Sequence, residues 1–185
     1  MIEMTESERL ILRLLKESDA PARLDYYERN KKFLKPYIPE MPDDFCTLDF
    51  QLERIKENME SSDKGSEFRF FIFKKDDPSK IIGNVSVSHI IRGVLQSAFL
   101  GYSIDEKENG KGIATEAIQK VIELSFNDIK LHRLEANVMP SNTASVRILE
   151  KLNFTKEGFS KDYCSINGRW EDHVRFAILN KIFKR

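Results

Sequence analysis

The sequence predicts a mixed α/β fold of the α+β class, in which helices flank a mostly antiparallel, twisted sheet of about seven strands. Apolar segments of strand length dominate the middle of the chain, and amphipathic helical segments are inserted between them. In addition, Asn167 and Gly168, a favoured two-residue hairpin turn, join the last two apolar segments. The 185 residues are expected to form one domain.

The first third of the chain is expected to contribute one strand and two helices. The strand covers residues 9 to 15, and Ser18 or Asp19 caps the helix that follows. The second helix is expected from Leu48 to Met59, before a run of small and polar residues at 61 to 65. Three prolines predict a loop between the two helices, and they are Pro36, Pro39 and Pro42.

Three strands are expected in the middle of the chain. Phe68 to Lys74 is almost continuously apolar, as in a strand that is buried on both faces. A turn at 76 to 78 precedes a second strand over residues 81 to 91, which alternates, and a third strand covers residues 96 to 104. The alternation predicts one buried face that holds Val85, Val87 and Ile91.

The last third is expected to hold two helices, a strand and a hairpin. Apolar residues recur at helical spacing from Ala114 to Phe126, and a strand follows at 132 to 139. A short helix begins near residue 141 or 142. The hairpin consists of residues 161 to 166 and 170 to 179, on either side of the Asn-Gly turn.

Composition argues against several classes of protein. Thirty Lys and Arg residues balance 30 Asp and Glu residues, whereas a general nucleic-acid binder carries a basic excess. No segment approaches the ~18 apolar residues of a membrane span, and the acidic N-terminal segment lacks the apolar stretch of a signal peptide. Cys46 and Cys164 lie far apart, and no histidine pair has metal-ligand spacing. These features predict a cytoplasmic protein with no direct binding to metal, membrane or nucleic acid.

The segment from Leu100 to Thr115 predicts a phosphate-binding turn between a strand and a helix. Gly110 and Gly112 leave successive backbone N–H groups free to approach one anion, and the following helix adds the positive end of its dipole. The spacing nearly matches the dinucleotide fingerprint G-x-G-x-x-G, but Thr115 replaces its third glycine. The alternatives are a nicotinamide site and a tight corner that binds nothing.

The C-terminal half as a whole resembles the core of the GNAT N-acetyltransferase superfamily. The resemblance rests on the glycine turn with its preceding strand, on residues 132 to 138 and on residues 142 to 154. The turn corresponds to the Q/R-x-x-G-x-G/A acetyl-CoA motif of the family. The positions of that motif are filled here by Asn109, Gly112 and Ala114.

Three shorter matches resemble the branch that contains the ribosomal-protein N-terminal acetyltransferases RimJ and RimL. They are Gly101-Tyr102, Asn142-x-x-Ser145 and residues 167 to 172. The resemblance implies a GNAT-like fold and one N-acetyltransferase domain over residues 1 to 185. Its expected parts are acceptor-side helices at about 18 to 64, an acetyl-CoA-binding core at about 96 to 154 and a C-terminal hairpin at about 161 to 180.

The same resemblance implies how acetyl-CoA, the co-substrate, is bound. Its pyrophosphate is expected over the N–H groups of Gly110, Lys111, Gly112, Ile113, Ala114 and Thr115, with Asn109 beside them. Its pantetheine arm is expected to pair with the backbone of Tyr102, Ser103 and Ile104, in a gap between two strands that separate. Asn142 and Ser145 match positions that contact this arm, and both residue types also suit the first turn of a helix.

The implied reaction is direct attack of a neutral amine on the thioester. An α-amine is roughly one quarter neutral at pH 7.4 and a lysine amine only about 0.1%, so an α-amino acetyltransferase has less need of a strong base. Glu135 is the best carboxylate candidate for a base and is equally suited to a structural ion pair. Leu149 stands where relatives carry a tyrosine acid, which leaves Ser145 and Tyr163 as candidates to protonate the thiolate.

The acceptor is expected to be a protein N-terminal amine, and the helices with the proline loop are expected to recognise it. Aromatic residues of the loop either wall that site or close the core, and they are Phe33, Tyr37 and Phe45. A polyamine or aminoglycoside-like acceptor is the nearest alternative, because Asp43, Asp44 and Asp49 offer negative charge. A non-catalytic acetyl-CoA sensor is the second alternative. The sequence leaves monomer and homodimer equally open.

Overall fold

The computed structural model describes residues 2–182 of the chain. Its strands are β1 (Met4–Glu6), β2 (Leu10–Arg13), β3 (Phe68–Lys74), β4 (Asp77–Ile91), β5 (Ser97–Ile104), β6 (Arg133–Val138), β7 (Thr155–Ile166) and β8 (Arg169–Leu179). Its α-helices are α1 (Ala20–Leu34), α2 (Leu48–Asp63), α3 (Ile113–Asn127) and α4 (Thr143–Lys151). Short 3-10 helices lie at Glu17–Asp19, Lys35–Tyr37, Asp43–Cys46 and Glu106–Glu108.

The strands form one eight-stranded sheet in the order β1-β2-β3-β4-β5-β6-β8-β7. Every neighbouring pair is antiparallel except β5 and β6, which are parallel. This confirms the mixed, mostly antiparallel fold. The sheet has one strand more than the seven expected, because β1 is too short and too polar to give a strand signal. It is held by antiparallel pairing with β2, in which Thr5 lies opposite Leu12.

Helices cover both faces of the sheet. On the front face, α1 and α2 pack over Phe71, Phe73 and Ile81 in one apolar cluster. On the back face, α3 and α4 pack over a larger cluster that includes Leu134 and Val174. Side chains therefore alternate along each central strand between a front cluster and a back cluster, and this alternation decides which side chains can meet at the site.

Several element ends differ from the expectation. Strand β7 begins at Thr155, six residues before the expected start at 161, and β2 ends at Arg13, two residues before the expected end at 15. Helix α2 continues to Asp63, and the hydroxyl of Ser62 donates to the carbonyl of Met59 at 2.8 Å within its last turn. The helix then ends at Lys64, before Gly65 with φ 66°. The turn between β3 and β4 is tighter than expected, since β4 already begins at Asp77.

The predicted burial of Ile91 is wrong. Val85 and Val87 are fully buried, but the β4–β5 register shifts after Ser88, and His89 has φ 52°. The irregularity breaks the period-two alternation, and the side chain of Ile91 is 46% exposed. By contrast, the predicted hairpin turn is confirmed.

No helix within residues 2–182 is both long enough and apolar enough to cross a membrane.

Candidate active site

A cleft opens in the middle of the sheet where β5 and β6 separate. The two parallel strands pair over Ser97–Phe99 and Arg133–Glu135 and then diverge. Beyond this point, residues 100 to 104 of β5 face residues 136 to 138 of β6 across a cavity of about 280 Å³. The backbone of β5 in this gap lacks a neighbouring strand on one side, so it can pair with an extended ligand.

The structure brings seven of the predicted site residues to the wall of this cleft. They are Tyr102, Ser103, Ile104, Asn109, Ala114, Asn142 and Ser145. The other predicted turn residues form the end of β5's connection to α3 and the first turn of that helix. They are Gly110, Lys111, Gly112, Ile113 and Thr115.

The glycine turn has the geometry of an anion site. Gly110 and Gly112 have φ 75° and 77°, and Gly112 is the residue immediately before α3. In the first backbone hydrogen bond of the helix, the N–H of Glu116 donates to the carbonyl of Gly112. The preceding N–H groups of the first turn therefore have no helical acceptor and point out of the helix end, where an anion is stabilised.

Polar contacts hold the turn in place. The amide of Asn109 donates to the carbonyl of Glu106 at 3.2 Å, and the ammonium of Lys111 lies 3.2 Å from the carboxylate of Glu108. The guanidinium of Arg9 donates to the carbonyl of Lys111 at 3.1 Å and pairs with the carboxylate of Glu116 at 2.6 Å. This carboxylate has a lowered pKa, because contacts from Arg9 and others outweigh desolvation.

A pair of hydroxyl groups lies on the back side of the cleft. The phenol of Tyr102 is 2.5 Å from the hydroxyl of Ser145, and burial raises the pKa of Tyr102 to about 12. The side chain of Asn142 accepts from the backbone N–H of Ser145 at 3.1 Å and so caps α4. The cap prediction for Asn142 is confirmed, and its amide also borders the cleft.

A second polar group lies on the front side of the cleft and joins β6, β7 and β8. Asn137 and His173 both line the cavity, and His173 is only 7% exposed. The amide nitrogen of Asn137 donates to the hydroxyl of Tyr163 at 2.8 Å, and the ring of Tyr163 lies 5.1 Å from the ring of His173. Within residues 2–182, the buried Oδ1 of Asn137 has no hydrogen-bond partner.

The tautomer of His173 follows from its backbone contact. Its Nδ1 is 3.0 Å from the carbonyl oxygen of Glu171, and a carbonyl oxygen only accepts. Nδ1 therefore carries hydrogen, and Nε2 of the neutral ring is left as an acceptor. The sequence interpretation did not select His173. Side chains alternate along β8, and Val174 faces the back cluster, so its neighbour His173 faces the front. This alternation is the sequence signal that could have identified His173.

The structure does not bring Glu135 or Tyr163 to the wall of the cleft. The carboxylate of Glu135 accepts from Nε of Arg133 at 2.9 Å, and the same guanidinium also pairs with Glu157. Tyr163 is 42% exposed, and its contacts with residues of the cleft are those with Asn137 and His173. Among the described residues, no group of three or more His, Cys, Asp or Glu is arranged to hold a metal ion.

A profile of the acetyltransferase (GNAT) domain matches residues 9–155 of the chain. The chain belongs to the GNAT family. It is 44% identical to the probable N-acetyltransferase YjcK of Bacillus subtilis, over 96% of this chain and 97% of that one. It is 38% identical to the [ribosomal protein uS5]-alanine N-acetyltransferase of Escherichia coli, over 93% of this chain and 88% of that one.

A solved structure agrees with this membership. The crystal structure of a ribosomal-protein-S5-alanine acetyltransferase from Vibrio fischeri superimposes with a TM-score of 0.93 at 36% identity. The superposition covers 98% of this chain and 99% of that one. This GNAT chain is thus an N-acetyltransferase that uses acetyl-CoA, as its glycine turn and split sheet indicate.

Adding a methyl group at Gly110 is expected to weaken acetyl-CoA binding about tenfold. The Cβ of Gly110→Ala meets no protein atom within 4 Å, but φ 75° is unfavourable for alanine, so the turn is expected to move away from the backbone geometry that binds an anion. Gly93→Ala is the matched control, because Gly93 has φ 72°, equally open surroundings and a position in the distant β4–β5 turn. Titration of both variants with acetyl-CoA would contradict the assignment if the two dissociation constants changed equally.

Proposed function

We propose that this acetyltransferase modifies the N-terminal α-amine of a protein, of the ribosomal-protein type. Two relatives that match almost the whole chain are named as alanine N-acetyltransferases of ribosomal protein S5. The resemblance of Gly101-Tyr102 and the Asn-Gly hairpin to the RimJ and RimL branch supports the same acceptor class.

The observation that carries the proposal is the charge of the front pocket. A cavity of about 500 Å³ lies between α1, α2 and the proline loop, and it shares residues 101 to 103 of β5 with the cleft. Arginines outnumber carboxylates on its wall, which would repel a polyamine. The candidate cation ligands Asp43, Asp44 and Asp49 are exposed and line neither this pocket nor the cleft. Phe33 and Tyr37 border the cleft, and Phe45 borders the pocket. These positions suit aromatic residues that form a wall of the acceptor site.

We propose that His173 is the general base. An α-amine is about one quarter neutral at pH 7.4, so a single neutral imidazole is sufficient to remove the remaining proton. Nε2 of His173 is the acceptor of the ring, and the unpartnered Oδ1 of Asn137 is available to orient the incoming amine. Glu135, the base expected from the sequence, is the weaker candidate because its carboxylate already pairs with Arg133.

We propose that Ser145 is the acid that protonates the departing thiolate. In the proposed arrangement the phenol of Tyr102 donates to the hydroxyl of Ser145, 2.5 Å away. As the proton of Ser145 moves to sulfur, the phenol proton moves to the serine oxygen, and solvent in the cleft returns a proton to the phenol. The acid then acts from the back side of the split sheet and the base from the front side. Tyr163, the other candidate acid, lies on the front side and is assigned to hold Asn137 and His173 in place.

A panel of acceptors tests the proposed function. Thiol release from acetyl-CoA would be measured with peptides that have free Ala or Ser N-termini, with N-blocked lysine peptides and with spermidine. We expect turnover only with free N-termini. Turnover restricted to spermidine or lysine would overturn the proposal. If none of the acceptors in the panel supported thiol release, a CoA-binding sensor would be the better description.

We also propose that the reaction takes place in the cytoplasm. Cys46 and Cys164 are both free thiols, which suits a reducing compartment.

A further inference from the structure

Arg23 is a buried cation in the wall of the front pocket. Its side chain extends from α1 and is only 4% exposed. One nitrogen donates to the carbonyl of Gln51 at 3.0 Å, and the guanidinium lies over the rings of Tyr27 and Phe71 at 5.4 and 5.7 Å. Among the described residues its buried Nε has no hydrogen-bond partner, and no carboxylate forms an ion pair with it.

A buried cation without a counter-ion is unfavourable, because desolvation removes water that no opposite charge replaces. Burial accordingly lowers the pKa of Arg23, and the positive charges of Arg69 and Arg54 act in the same direction. A contact with the phenol of Tyr27 raises the pKa in the opposite direction, and together with the aromatic rings and one carbonyl it compensates only in part. An anion that enters the pocket would complete the coordination of this guanidinium.

The two neighbouring arginines extend the positive charge along the pocket. Arg69 pairs with Glu67 at 2.8 Å and donates to Asn84 at 3.3 Å, and Arg54 pairs with Glu57. Within residues 2–182, only one carboxylate, that of Glu40, belongs to the wall itself, and Glu40 is exposed. Arg23 is therefore the member of the group whose charge no carboxylate balances.

The sheet register gives the distance from this group to the cleft. Arg69, Ser86 and Gly101 lie directly opposite one another on β3, β4 and β5. Adjacent strands are about 4.8 Å apart, so the Cα atoms of Arg69 and Gly101 are separated by roughly 10 Å. An extended peptide advances about 3.3 Å per residue, so a peptide with its amine at the cleft reaches the arginines with its second to fourth residue.

We infer that the pocket around Arg23 binds a carboxylate of the acceptor, and that the enzyme selects peptides with Asp or Glu at positions two to four after a free N-terminus. This inference rests on the proposed N-terminal acceptor and adds a sequence preference to it. Arg23 and Arg69 supply the charge-assisted hydrogen bonds, while the chain of contacts from Asn84 to Ser103 fixes the neighbouring strand.

Paired peptides test the inference. Ala-initiated peptides would carry Glu or Gln at position two, three or four and be otherwise identical. We expect the best Glu peptide to exceed its Gln partner in kcat/KM by about tenfold or more. In Arg23→Gln the preference is expected to disappear, so that the best Glu peptide and its Gln partner have equal kcat/KM in this variant.

Controls separate the possible outcomes. Arg69→Gln is a second variant, less dependent on folding because its side chain is one quarter exposed, and it is expected to reduce the preference. Arg147→Gln removes an exposed arginine that borders neither cavity and should leave the preference intact. Equal turnover of Glu and Gln peptides by the wild type overturns the inference alone. Turnover of spermidine with no turnover of any peptide overturns the proposed function and this inference with it.

Discussion

Replacing His173 with glutamine is expected to lower kcat by about 10²- to 10⁴-fold, the usual contribution of a general base. Glutamine keeps a side-chain donor for the carbonyl of Glu171 but offers no basic nitrogen to the cleft. Acetyl-CoA binding should stay within about twofold of wild type, because His173 lies on the front side and the glycine turn is unchanged. Steady-state kinetics with a saturating Ala-initiated peptide provide the measurement.

Chemical rescue separates a base from a merely structural residue. In His173→Ala, added imidazole is expected to restore part of the lost activity, since the vacated volume opens on the cleft. Tyr163→Phe is the matched control: it removes the hydroxyl that accepts from Asn137, so the peptide KM should rise with little change in kcat. A larger kcat loss in Glu135→Gln than in His173→Gln would return the role of base to Glu135.

The fold was predictable wherever the signal was local. Phe68–Lys74 was predicted to the residue because a run of buried apolar side chains needs no partner information. Met4–Glu6 was missed because its strand state depends on β2, and Ile91 was misassigned because an irregularity between two strands is not visible in one of them. The errors thus lie where pairing between distant segments overrides the local pattern.

The two sides of the site differ in the same way. The back side is built from segments that follow one another in the chain, from the glycine turn to the helix that carries Ser145. The spacing of motifs in the sequence therefore predicted its residues. The front side is assembled by pairing of β8 with β6 and by α1 lying over β3. His173 and Arg23 are ordinary hairpin and helix residues in the sequence, and only the tertiary contacts reveal their burial at the cavities.

The split sheet explains why the proposed acid and the proposed base lie on opposite faces. An extended co-substrate that enters the gap beside β5 leaves its thioester between the faces, so the amine must approach from the front if the thiol leaves to the back. Alternation along β5 supports this division, since Tyr102 faces the back cluster and Ser103 bonds to Tyr26 of α1 on the front. In the proposed mechanism, strand β5 therefore separates the group that removes a proton from the group that delivers one.

Replacing Ser145 with alanine is expected to lower kcat by about 10²-fold, because the thiolate would then leave without a positioned proton donor. Asn142 continues to cap α4 through the backbone N–H of residue 145, so the fold should persist. Tyr102→Phe is expected to cost about tenfold, since it removes the phenol that polarises Ser145 and keeps the ring that packs on the back cluster. Rapid-quench measurement of acetyl transfer would isolate the chemical step.

The double variant Tyr102→Phe/Ser145→Ala tests whether the two hydroxyl groups act as one unit. If Tyr102 acts only through Ser145, the loss of kcat in the double variant should equal that of Ser145→Ala alone, and additive losses would contradict the relay.

The pH profile tests the protonation of the phenol. Because burial raises the pKa of Tyr102 to about 12, its phenol stays protonated through the alkaline range in which an ordinary tyrosine, with a pKa near 10, ionises. The wild-type kcat should therefore not fall between about pH 8 and pH 10 through loss of this proton.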